Sequence, residues 1–287
     1  MNPDEAVLLW VDEYSRMADA YDTSVVPRFT PFAARLVAEA GLREHATVLD
    51  VSTGTGLTAL LAAKAVAGTG LVVGIDLADG ALAVAQTKAA RAGLRNLRFE
   101  MLDSRNIVYR SATFDAVLSS FGLPSIGHAQ VLREIGRVLK DGSAFRLVEW
   151  AARDPPSGWD AWDEVLREHR TSAPSATLAQ LRDAGDLVMR SGDYEAIRDP
   201  AGLAAKMKEA GFSSVRTTPH AESVDFASVD ELFAFRGSFG PTERELAEMD
   251  DASREAFRRD VEARFEEYRH EGVIRLRWSV VYYEATK

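Results

Sequence analysis

Gly54, Gly56 and Ala59 satisfy the pattern G-x-G-x-x-[GA] within VLDVSTGTGLTALLA, residues 48 to 62. Asp76 follows about 20 residues later, at the end of the next apolar run. Small residues at such a turn let the backbone approach a ligand, and an acid at the end of the second strand accepts hydrogen bonds from ribose hydroxyls. Together they point to an adenosine-containing ligand, either a dinucleotide or S-adenosylmethionine. The first would bring hydride chemistry, the second methyl transfer. Asp50, four residues before Gly54, suits a ligand carrying an ammonium and a sulfonium and would repel a pyrophosphate. Asp103, just past the third strand-like run, is placed to accept from an adenine amino group. Residues 1–46 form a longer lead than dinucleotide domains often have. These three features favour S-adenosylmethionine.

Methyl transfer is an in-line displacement at a sulfonium carbon, accelerated largely by aligning the acceptor and excluding water. A phenol or enol acceptor adds a proton to remove, and histidine is the usual agent. Of five histidines, His128 opens the helix after strand four and His169 lies in a later helical stretch; these two are the candidate bases. His45, His220 and His270 read as peripheral. Glu149 and Trp150 end strand five, where substrate pockets often begin. Trp150, Trp159 and Trp162 are the candidate acceptor-pocket residues, and Tyr194, Phe233, Phe235 and Phe239 add aromatic surface. With no cysteine, the chain has no thiolate nucleophile, disulfide or cysteine metal site. No histidine and acid cluster has ligand spacing, so no metal is expected.

These residues need a scaffold. Apolar strand runs TVLDV (47–51), LVVGID (71–76), LRFEML (97–102), FDAVLSS (114–120) and AFRLVEWA (144–151) alternate with helical patterns at 57–66, 80–93 and 129–140. That alternation predicts a doubly wound α/β domain with a parallel sheet. Upstream, residues 3–20 have helical periodicity, Pro27 and Pro31 punctuate the next segment, and 31–40 reads as a short helix. After Trp150 the rhythm fails: 152–195 holds DPPSG and two expected helices. A helix at 199–210, a strand near 213–219, helices over 228–271 and a final strand-like run LRWSVVYYEA (276–285) complete the chain. The expected organisation is an N-terminal segment 1–46 over the ligand, a binding core 47–151, a helical insertion 152–197 acting as a lid, and a completion of the core over 198–287 with a second insertion at about 222–272.

The 287 residues are 46% apolar and 27% charged, ordinary for a globular chain. Net charge is -10 and no lysine and arginine cluster stands out, which argues against a nucleic-acid partner. The stretch 254–270 mixes signs at helical spacing and reads as a solvated helix face. The N-terminus has early acids and no basic leader, and no apolar run approaches the roughly 20 residues that span a bilayer. A cytoplasmic protein without membrane contact is expected. Oligomeric state is open, a homodimer included.

With these residues in view, the chain resembles the class I S-adenosylmethionine-dependent methyltransferases. The likeness is carried by VLDVSTGTG, Asp76, LDS at 102–104, FDAVLSSFGLPSI and LREIGRVLKDGSAFRLVEW, with YDTSVVPRFTPFA (21–33) upstream. It is nearest to the branch with quinone-biosynthesis and natural-product methyltransferases, and is specific over about 14–151. Ser52 and Thr53 depart from the small residue and Cys of many relatives. The resemblance implies a Rossmann-like seven-stranded sheet with an antiparallel last strand. It implies that Gly54 and Gly56 make room for the cofactor, with Ser52 and Leu77 beside it, and that Asp50 organises the methionine-ammonium end. Asp76 would bind the ribose, Asp103 and the backbone of Ser104 the adenine, Ser119 and Phe121 would border the methionine, and Tyr21 would cover the site. The expected activity is methylation of a small organic molecule, at O, N or C. The rivals are an NAD(P)-dependent oxidoreductase, a protein or RNA methyltransferase, which the acidity opposes, and a cofactor-binding homologue that does not methylate. Thiol-dependent arsenic methylation is excluded by the lack of cysteine.

Overall fold

The computed structural model describes residues 1–151 and 158–287. Residues 152–157, with the DPPS segment of the first expected insertion, lie outside the described residues.

The chain opens with three helices, α1 (Pro3–Arg16), α2 (Ala18–Ser24) and α3 (Val26–Glu39). Asn2 starts α1 through a reciprocal cap: its side chain accepts from Glu5 N at 2.9 Å and Glu5 Oε2 accepts from Asn2 N at 2.8 Å. The expected break at Pro27 and Pro31 does not occur. Pro27 sits in the first turn of α3, where an N–H has no helical partner. Pro31 removes one bond from inside the helix, but Phe29, Phe32, Ala33, Leu36 and Val37 are buried by it. Burial at about 1.5–3 kcal/mol for each large apolar side chain outweighs that loss.

The alternating segment follows as β1 (Thr47–Val51), α4 (Leu57–Ala65), β2 (Leu71–Asp76), α5 (Asp79–Arg91), β3 (Leu97–Met101), β4 (Phe114–Ser120), α6 (His128–Val138) and β5 (Leu139–Trp150). In α6, Val131, Leu132, Ile135 and Val138 fall on one stripe and are fully buried. This helix stops short of the expected residue 140. Thr113 N donates to Val138 O and Leu139 pairs with Phe114, so the chain is already a strand there.

Beyond the undescribed residues come α7 (Trp159–His169), α8 (Ala176–Arg190), α9 (Gly192–Arg198) and α10 (Pro200–Glu209). Sequence periodicity gave two helices before residue 198; Ser191 caps a third by accepting from Tyr194 N. Then β6 (Ser214–Phe226), α11 (Val229–Arg236), α12 (Gly240–Ala247), α13 (Asp251–Phe265), β7 (Arg269–His270) and β8 (Val273–Thr286) finish the fold. β6 runs seven residues past its expected end, because its whole length pairs with β8 from Ser214↔Thr286 to Phe226↔Ile274.

The strand order is β3-β2-β1-β4-β5-β8-β6. β3, β2, β1, β4 and β5 pair in parallel, while β8 is antiparallel to both β5 and β6. This is the Rossmann-like sheet with an antiparallel final strand, extended by the two-residue β7 on β8. Chain direction reverses its progress between β1 and β4, so the ends of those strands open a crevice. Among the described residues no helix is long and apolar enough to cross a membrane.

Candidate functional site

The crevice begins where β1 ends. Ser52 turns with φ +55° and Gly54 with φ +52°. The turn is fastened to β2 by Thr53 N donating to Ile75 O at 2.9 Å and Gly54 N donating to Asp76 Oδ2 at 2.8 Å. Ala78 N donates to Asp76 Oδ1 at 3.0 Å. Asp76 therefore holds the turn and still presents lone pairs, and burial raises its pKa despite those donors. A Cβ on Gly54 would meet no atom within 4 Å, so the space in front of this residue is open.

Asp50 lies under the turn. It is 1% exposed, accepts from Thr53 Oγ1 at 2.6 Å, and burial pushes its carboxyl up to about 7. Gly56 is likewise behind the wall: a Cβ there would sit 2.9 Å from Ala85 Cβ and 3.0 Å from Phe99 Cζ. Its smallness serves helix and sheet packing.

The end of β4 supplies the next wall. Phe121 has φ +54°, and Gly122 allows a close approach, since a Cβ on it would lie 2.7 Å from Ser52 Cβ and 3.0 Å from Val51 O. Ser119 is fully buried and donates from Oγ to Val51 O at 3.0 Å. Glu149 holds the following loop by accepting from Leu123 N at 3.0 Å; burial raises its carboxyl to about 7.

Asp103 stands after β3. Burial pushes its pKa up, but the Arg105 guanidinium more than offsets this and leaves it below the ordinary value. Arg105 Nη2 bonds Asp103 Oδ2 at 2.8 Å, and its Nη1 reaches Asp4 of α1 at 2.5 Å. Arg105 thus clasps the N-terminal helices to the sheet. Asp22 of α2 adds a second clasp, accepting from Thr55 Oγ1 at 2.6 Å and pairing with Lys88 of α5. Neither Arg105 nor Asp22 stands out in the sequence; Asp4, Thr55 and Lys88 are remote along the chain, and Asp103 is a neighbour in the same turn.

These pieces enclose a cavity of about 880 Å³ roofed by α1, α2 and the helices after β5. Of the expected site residues, Tyr21, Ser52, Gly54, Asp76, Leu77, Asp103, Ser104, Phe121 and Trp159 line it. Tyr21 meets Tyr14 and Phe239 edge to face, with ring centroids at 6.1 and 5.7 Å. Asp50, Gly56, Ser119, Trp150, Trp162, His128 and His169 do not reach its wall. Trp150 packs behind Phe121 at 4.8 Å and against Trp159 at 5.6 Å. Trp162 is fully buried against Phe233 and Phe257. His128 is fully buried, neither ring nitrogen has a hydrogen-bond partner, and burial lowers its pKa. His169 lies away from the cavity with Nε2 2.7 Å from Asp260 Oδ2. Among the described residues no group of three or more His, Asp or Glu is arranged to hold a metal.

The site fits S-adenosylmethionine. Two carboxylates, Asp76 and Asp103, face the cavity beside an open glycine, and the one arginine near them is committed to Asp103 and Asp4. A pyrophosphate beside them would face two like charges, and the arginine next to Asp103 is already paired.

Comparisons with known proteins agree. A methyltransferase-domain family model matches residues 48–142. The chain is 31% identical over 164 residues to the aklanonic acid methyltransferase of a Streptomyces species, covering 54% of this chain and 74% of that one. It is 28% identical over 213 residues to the nocamycin O-methyltransferase of Saccharothrix syringae, covering 71% and 72%. Among solved structures, the YcgJ protein of Bacillus subtilis superimposes with a TM-score of 0.57 at 18% identity, over 89% of this chain and 97% of that one, and shares the fold. With S-adenosylmethionine as its cofactor and a small molecule as its substrate, the chain belongs to the class I S-adenosylmethionine-dependent methyltransferases, in the branch of the natural-product and quinone methyltransferases.

Proposed function

We propose that the cavity binds cofactor and acceptor together, with the cofactor along the β1, β2 and β3 ends and the acceptor toward the later helices. In this reading Asp76 accepts from the ribose hydroxyls, and Asp103 with the backbone of Ser104 holds the adenine. Gly54 leaves room for the cofactor, Ser52, Leu77 and Phe121 flank it, and Tyr21 covers it. Asp50 acts as a positioning residue, fixing the turn through Thr53. One observation carries the assignment: Asp76, Asp103 and the side-chain-free Gly54 share one wall.

Bound S-adenosylmethionine supplies an electrophilic methyl group on a positively charged sulfur. The protein's own task is then alignment and exclusion of water. Phe29, Trp159 and Phe239 give the acceptor half an apolar, aromatic lining suited to a planar organic molecule. Residues 1–46, helices α7, α8 and α9 and the helices between β6 and β8 serve as the cover. None of the five histidines lines the cavity, so we assign no histidine base.

The test is titration with S-adenosylhomocysteine by calorimetry. Asp76→Ala is expected to weaken binding by roughly 1.5–3 kcal/mol, the scale for losing a charged hydrogen-bond partner. Unchanged affinity in a folded variant would remove the ribose assignment, and heat with NADH in place of S-adenosylhomocysteine would overturn the reading of the cavity.

A further inference from the structure

Three arginines line the cavity at the end away from Asp76: Arg167 in the last turn of α7, Arg170 just beyond it, and Arg182 of α8. Two of them share one acid. Arg182 Nε and Nη2 bond the two oxygens of Glu245 at 2.9 and 2.6 Å, and Arg170 Nε lies 3.1 Å from Glu245 Oε1. Glu245 is 1% exposed. One carboxylate between two guanidinium groups leaves a positive surplus. The other acids on this wall have cations of their own: Asp163 pairs with Arg236 at 2.5 Å, and Asp186 lies 3.7 Å from Arg190. Arg167 makes no ion pair or hydrogen bond with any described residue.

A surplus cation on a cavity wall is unusual in a chain with net charge -10. Arginine presents a planar fork that matches a carboxylate, and its charge is fixed at all ordinary pH. The wall around it is apolar, with Leu166, Leu181, Val188 and Met189 beside Trp159. Arg167 is exposed to solvent as well as lining the cavity, so its guanidinium is accessible to a bound anion and an ion pair it forms is partly screened. Arg167 is an exposed arginine in the last turn of α7, and it also lines the space assigned to the acceptor.

We propose that the acceptor is an organic acid, held through a carboxylate or similarly ionised group by Arg167, with its apolar body along the aromatic wall. This rests on the two-part reading of the cavity given above. The anionic group is a handle that orients the molecule and need not be the atom methylated.

The test uses the full chain saturated with S-adenosylhomocysteine and two planar probes of one shape, 2-naphthoic acid and its neutral amide, 2-naphthamide. The acid is expected to bind at least about tenfold more tightly than the amide, the scale of one charge-assisted hydrogen-bonded pair. Arg167→Gln is expected to cut that preference to about threefold or less while leaving amide affinity unchanged, and Arg167→Lys to keep part of it. Equal binding of acid and amide to the unaltered protein, a preference that survives Arg167→Gln, or failure of both probes to bind while S-adenosylhomocysteine binds would each overturn the proposal. Failure of S-adenosylhomocysteine itself to bind would instead strike the underlying reading of the cavity.

Discussion

The two walls of the cavity are fastened in different ways. The wall with Asp76 and Gly54 is held chiefly by backbone bonds, Thr53 N to Ile75 O at 2.9 Å and Leu102 N to Asp76 O at 3.0 Å, with Gly54 N donating to the Asp76 carboxylate at 2.8 Å. The opposite wall is held by side chains. Trp159 sits among Trp150, Phe235 and Phe239, Glu245 gathers Arg170 and Arg182, and Glu13 of α1 gathers Arg16 and Arg244. Backbone ladders cannot change partners without breaking the sheet, whereas side-chain contacts are replaced one substitution at a time. The fixed wall suits a ligand common to a family, and the replaceable wall suits an acceptor particular to one member.

The largest effects should separate the fold from the ligand on the fixed wall. Gly122→Ala puts a methyl 2.7 Å from Ser52 Cβ and 3.0 Å from Val51 O, where nothing can yield without moving backbone. A loss of about 1–3 kcal/mol in unfolding free energy is expected, read by chemical denaturation. Gly54→Ala puts its methyl into open space, so its structural cost is the φ of +52°, about 1–2 kcal/mol. Its distinctive result should be a loss of S-adenosylhomocysteine affinity of about tenfold or more as the methyl enters the ligand's space. Normal affinity in Gly54→Ala would mean that the cofactor does not lie against this turn.

A second contrast sets two buried carboxyls against each other, Asp50 beneath the fixed wall and Glu149 beneath the loop that leads to the other. Burial raises both to about 7 from ordinary values of 3.8 and 4.5. Between those limits the folded state binds more protons than the unfolded one, so each contribution to stability is present at low pH and declines as pH rises toward 7. The decline is at most about 4 kcal/mol for Asp50 and about 3 kcal/mol for Glu149. Thermal melts from pH 5 to 8 should show melting temperature falling, and Glu149→Gln or Asp50→Asn should each flatten the slope. If neither does, burial is not setting these groups. A difference between the two variants in cofactor affinity, with Asp50→Asn the weaker binder, would sharpen the contrast, because only Asp50 supports the glycine turn.

What the sequence foretold divides along the same line. Gly54 and Asp76 were readable because the turn and its acid are joined through adjacent strands whose alternation is plain. Asp103 was readable as a position, but its partner Arg105 was not, since an arginine two residues on looks like any turn residue. Trp159 and Trp162 are three apart on one helix, and no pattern told which would reach the cavity; Trp159 does, and Trp162 anchors the helix to Phe233 and Phe257. The length of β6 was hidden because it is a largely exposed edge strand without apolar alternation, held through its pairing with β8. The link from α1 to α12 through Glu13 and Arg244 spans most of the chain and left no local trace.

The smallest expected effect on catalysis tests the replaceable wall by omission. His128 begins α6 in the position that chemistry would favour for a base, yet it is fully buried with both ring nitrogens unpartnered. Its nearest acid, Asp193, is 3.8 Å away, and burial dominates, lowering its pKa below 6.5. Below that value the unfolded chain takes up the proton and the folded chain resists it, so stability is lost as the medium becomes more acidic. His128→Leu replaces an unsatisfied ring with an apolar side chain of similar volume. Methyl transfer should stay within about threefold of the unaltered protein, since the group is not on the cavity wall. Stability at neutral pH should change by no more than about 1 kcal/mol, and part of the acid-side loss should vanish. A fall of about a hundredfold in kcat with cofactor affinity intact would put this ring back in the proton path and require α6 to move during turnover.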